Sequence, residues 1–143
     1  MHSPTWVYAI LAAVLALAVG CDGAARPPKR GGIAGKITLD GKPVAAANVR
    51  FIALEPGGIN VLAPVKDGAY AVPDGQGPTK GKYRVEFSVP SAAARRIQSP
   101  DVPGAWVEER TETLPARYHR DSTFILDYDP DHPKPYDADL TSS

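Results

Sequence analysis

The chain has 143 residues, 16 basic and 16 acidic side chains, and a single cysteine. A formal net charge of zero leaves no electrostatic footprint for nucleic acid, and one thiol cannot form an internal disulfide. Fifteen prolines and thirteen glycines argue for many turns and short strands over helices.

The first element is an uncharged apolar run, Trp6 to Gly20, followed at once by Cys21. It is too short for a spanning helix, which needs about twenty residues. It suits a signal h-region of roughly 7–15 residues ending at small residues, here Ala18-Val19-Gly20. The arrangement resembles a bacterial lipobox. That resemblance implies residues 1–20 as a lipoprotein signal peptide, lipidation of Cys21, and a mature chain held to a membrane in the cell envelope, on its periplasmic or surface side. An ordinary secretory signal and an uncleaved anchor are the alternatives. Residues 21–32, rich in Pro, Gly, Lys and Arg, read as a flexible tether.

Order is expected from Ile33. Ile33, Gly35, Ile37 and Leu39 alternate with polar or small residues, the period of a strand with one buried face. Asp40-Gly41 is a turn signal, and residues 48–54 follow as a second strand with Val49 and Phe51 inward. Residues 61–65 make a third strand, in which Pro64 marks an edge or a strand end. Lys66-Asp67-Gly68 turns the chain into residues 69–72. The clearest strand is residues 82–89, with Tyr83, Val85, Phe87 and Val89 on one face. Residues 90–113 are the least strand-like part; Ser91 to Ile97 suggest one or two helical turns, limited by Pro100 and Pro103. Residues 124–128 and 136–140 read as the last strands. The sum is an all-β, immunoglobulin- or transthyretin-like antiparallel sandwich of about seven strands over residues 33–140.

Several segments carry a family resemblance. Gly35 to Val44, with its Asp-Gly-Lys-Pro-Val turn, precedes Ala47-Asn-Val-Arg-Phe51; Lys66 to Tyr70, Gly81 to Val85 and Leu114 to Phe124 come after. Their order is similar to short bacterial lipoproteins bearing a carboxypeptidase-regulatory-like, transthyretin-like domain. The resemblance implies fold and location; members of this kind mostly have no assigned reaction.

No catalytic set is apparent. Ser88 and Ser122 lack a nucleophile-elbow context. His119 and His132 stand apart, with no cysteine left to complete a zinc site, and no metal is assigned. Asp127, Asp129 and Asp131 have the spacing of a calcium loop's start without its glycine or distal glutamate. Glu108, Glu109 and Glu112 read as exposed charges. No cofactor is implied. The expectation is a non-catalytic, membrane-anchored structural or protein-interaction module facing an unknown envelope protein or glycan, with Trp106, Arg117 and Tyr118 as candidate binding residues. A carbohydrate-binding surface, stacking sugars on Trp106, Tyr118, Tyr128 or Tyr136, is the alternative; a small-molecule hydrolase on a transthyretin-like fold is the third.

Overall fold

The computed structural model describes residues 26–143. Cys21, the signal segment and the first part of the tether lie outside the described residues. Among those described, no helix is long and apolar enough to cross a membrane.

Ten strands and one 3₁₀ turn make up the described residues. Strand β1 (Ile33–Leu39) meets the two-residue β2 (Lys42–Pro43) across Asp40-Gly41. Strands β3 (Ala46–Ala53), β4 (Val61–Lys66) and β5 (Ala69–Val72) follow, the last two joined by Asp67-Gly68. In both turns the two central residues have positive φ (51° and 79°, then 51° and 78°), the condition of a type I′ hairpin. Strand β6 (Gly81–Ser88) leads to β7 (Pro90–Gln98) and β8 (Trp106–Glu112); the 3₁₀ turn (Ala116–Tyr118), β9 (Ile125–Tyr128) and β10 (Ala138–Leu140) complete the chain.

The main sheet runs β10-β1-β5-β4-β3-β6-β9, with β2 beside β1. All pairings are antiparallel except β1 with β10. Between β4 and β5 the only register pair is Lys66 with Ala69, so the sheet folds at that corner. Most of β4 therefore has a neighbour on one side alone, and Pro64 sits there without costing a ladder hydrogen bond. The two halves face one another across the core. Phe51 on β3 lies 6.1 Å from Tyr70 on β5 and 6.3 Å from Tyr136, and Phe87 on β6 stacks on Tyr136 at 6.5 Å. Strict alternation on β4 and β6 supplies Val61, Ala63, Val65, Tyr83, Val85 and Phe87 to this layer.

Two expectations are revised. Residues 90–113 form neither a helix nor an irregular loop but the hairpin β7–β8, a separate two-stranded sheet. Arg95 pairs with Glu109, Arg96 with Glu108 and Ile97 with Val107, so cross-strand partners override the helical preference of Ala92–Ala94. Pro100 and Pro103 fall in the connecting loop, where they break nothing; Ser99 closes it by donating its N–H to the Ala105 carbonyl (2.8 Å). With β2, this hairpin raises the strand count from seven to ten. The chain also seats on the domain before Ile33. Arg30 bridges Thr79 and donates Nε to Gly77 (2.9 Å), Gly31 donates to Pro78 (3.1 Å), and Lys29 pairs with Asp131.

Candidate functional site

The β7–β8 hairpin is an arm. Val89 and Leu114, the core residues flanking it, are buried; between them no side chain belongs to the core. Its base is held by Glu112. One carboxylate oxygen accepts from the Val89, Thr113 and Leu114 N–H groups (2.9, 3.0 and 3.0 Å), and the other from the Ser88 hydroxyl (2.6 Å). Burial alone would raise the pKa of this carboxyl; the Ser88 and backbone donors outweigh it and hold the group below its ordinary value. The sequence reading of Glu112 as an exposed charge is corrected. Glu108 and Glu109 are exposed as expected.

Trp106 stands at the distal end of the arm, opposite Gln98. The residue is 56 % exposed, with the Arg96 guanidinium 5.8 Å from the ring centre. Val102 and Val107 are exposed beside it in sequence. The strands are charged in opposite senses: Arg95 and Arg96 on β7, Glu108 and Glu109 on β8, with Arg95 and Glu109 3.7 Å apart. An isolated two-stranded hairpin is marginal in water, and like charges along each free edge oppose pairing with the same edge of a second arm.

Arg117 and Tyr118 lie beyond the arm's base, in the 3₁₀ turn, and do not join Trp106 in one surface. Tyr118 is buried. Its ring stacks on Phe124 at 5.8 Å, and its hydroxyl accepts from the Thr141 N–H (3.1 Å). Arg117 covers the Tyr118 ring at 4.8 Å and donates to the Thr141 hydroxyl (3.0 Å) and the Ser143 carbonyl. These two residues latch the C-terminal segment. Tyr128 is buried and Tyr136 half-buried, so of the four expected stacking platforms only Trp106 presents its ring.

The remaining polar residues have structural partners. Buried Ser122 donates to the Val85 carbonyl and receives the Phe124 N–H (3.3 Å), a turn role. His119 Nε2 is 3.1 Å from the Leu114 carbonyl, and exposed His132 lies 3.9 Å from Asp129. Asp129 is 3.2 Å from Lys80 and Asp131 pairs with Lys29. Among the described residues no group of three or more potential metal ligands occurs.

No family profile matches the chain, and no curated protein does. Two solved structures are similar in shape. One, from Pseudomonas aeruginosa, carries the description "putative carbohydrate binding protein"; it is 12% identical over 82% of this chain and 92% of that one, at a TM-score of 0.40. The other is a 9R-lipoxygenase from Cyanothece, 15% identical over 97% of this chain but only 20% of that one, at a TM-score of 0.35. Neither likeness bears on function.

Proposed function

We propose that this chain is a non-catalytic envelope lipoprotein, anchored through acylated Cys21, whose transthyretin-like sandwich offers the β7–β8 arm to a protein partner. The observation that carries the reading is the arm itself. It is a strand pair outside the core whose tip exposes Trp106, Val102 and Val107. Trp and Arg are among the residue types enriched in interface hot spots. The anchoring half rests on the lipobox-like segment ending at Cys21. The chain enters at Lys29–Gly31, beside Thr79 and the start of β6, while the arm begins at Pro90, just past the opposite end of β6. An eight-residue strand is about 26 Å long. The described chain thus enters at the end of β6 away from the arm's base.

A photo-crosslinking residue at Trp106 or Val107 in membrane-embedded protein tests the docking half. One discrete adduct, absent when Cys21→Ser detaches the chain, is expected; a smear or no adduct overturns it. The mass of the N-terminal fragment tests the anchor: a fragment beginning at Cys21 with acyl mass supports it, and an unmodified fragment removes it.

A further inference from the structure

A second site lies away from the arm tip, on the outer face of β3 and β6. We propose that this groove binds a small hydroxylated carboxylate, of the size and chemistry of a sugar acid. The groove has a volume of about 540 Å³, within the range of small-ligand sites. Its floor is set by register: Arg50 lies opposite Glu86 and Asn48 opposite Ser88, all pointing away from the core. Leu62 on β4, opposite Arg50, forms one wall. The other wall exists because β9 pairs with β6 only from Gly81 to Arg84; beyond that the segment carrying His119 and Arg120 stands alongside instead.

The charged groups of the groove are unevenly engaged. Glu86, whose side chain is only 12 % exposed, sits between two guanidiniums, 2.9 Å from Arg84 and 3.7 Å from Arg50. Glu112, the other carboxylate, is saturated by the donors of the arm's base. Arg84 engages Glu86 through one terminal nitrogen, and its buried Nε has no partner among the described residues. Arg50 and Arg120 remain 61 % and 77 % exposed, and Arg120 reaches only Asp121 at 3.8 Å. Three guanidiniums thus line the groove with two carboxylates, Glu86 and Glu112, and of the three Arg50 and Arg120 are the weakly engaged ones. A guanidinium fork matches a carboxylate better than any other common anion-binding side chain.

The rest of the groove suits hydroxyl groups. The Asn48 amide offers both donor and acceptor. The Leu114 carbonyl can only accept, so His119 Nε2 carries the proton of the neutral ring and Nδ1 is left as an acceptor. Leu62, 58 % exposed, gives an apolar surface for the face of a ring. The groove shares no residue with the Trp106 tip, so the inference stands independently of the arm's role.

Titration of the full chain with glucuronate, glucose, acetate and inorganic phosphate, at physiological salt, tests it. Saturable one-site binding of glucuronate is expected, at least tenfold tighter than any of the other three. Arg50→Ala and Arg120→Ala each lower the affinity at least fivefold, Arg50→Lys restores only part of it, and Trp106→Ala leaves it unchanged. Both arginines are exposed, so the variants keep the fold, checked by thermal melting. Absence of saturable glucuronate binding overturns the site. So does equal binding of glucose (no role for the carboxylate), of acetate (none for the hydroxyls) or of phosphate (a general anion patch), and so does binding that survives both arginine substitutions.

Discussion

Gly35 shows what a single atom decides in this core. A Cβ there would fall on the Tyr136 carbonyl and against the Tyr70 hydroxyl, which itself donates to that carbonyl at 2.7 Å. The neighbour is backbone and cannot rotate away. Gly35→Ala is expected to cost about 1–3 kcal/mol, read as a lower denaturant midpoint at unchanged slope. Gly41 is glycine for a different reason: its surroundings are open, but its φ is 79°. Gly41→Ala should cost only about 1–2 kcal/mol, through backbone strain rather than collision. Tyr83 gives the polar counterpart. Its hydroxyl, buried with Thr79, accepts the Thr79 N–H at 3.0 Å and shares a 2.8 Å hydrogen bond with the Thr79 hydroxyl. Tyr83→Phe strands that N–H, an expected loss of about 1–3 kcal/mol in the same assay.

At the scale of elements, the arm depends on one carboxylate. Glu112 has a folded pKa held below its ordinary value of 4.5, so its contribution is present above that value and disappears as pH falls through the lower folded pKa. Amide exchange of β7 and β8 in native protein is expected to accelerate below about pH 4.5 relative to β3 and β6. Glu112→Gln should exchange faster at neutral pH and lose that acid response; a variant with the same acid profile as the parent removes Glu112 as the clamp. This clamp was not legible in the sequence, because Glu112 meets Ser88 and Val89 only when 24 residues return to the sheet. The β6 strand was legible: Tyr83, Val85 and Phe87 alternate with Lys82, Arg84 and Glu86, and one buried face dictates the period. The arm escaped for the converse reason. With neither face buried, β7 has no alternation, and its signal is the pairing of arginines with glutamates across a turn. The outer groove escaped too, since Arg50 and Glu86 stand 36 residues apart and only register joins them.

At the scale of the molecule, the sandwich and the arm are separable. The core is closed by residues up to Val89 and from Leu114 onward, and the clamp needs only Ser88, Val89 and residues 112–114. Replacing residues 92–110 by a short Gly-Ser turn removes no buried apolar side chain. It also removes a paired strand element that spends backbone entropy without burying core surface in return. The trimmed protein is therefore expected to melt within a few degrees of the parent. It should retain glucuronate binding in the outer groove, which Arg50 and Arg120 line, while losing the crosslink made from the arm tip. A large fall in melting temperature would show that the arm packs on the domain and supports it. An intact crosslink from a probe moved to Leu62 would place the partner on the sheet face instead. Trimming the arm and substituting Arg50 or Arg120 thus test the two proposed surfaces one at a time, and that separation distinguishes a molecule with two binding faces from a scaffold with one.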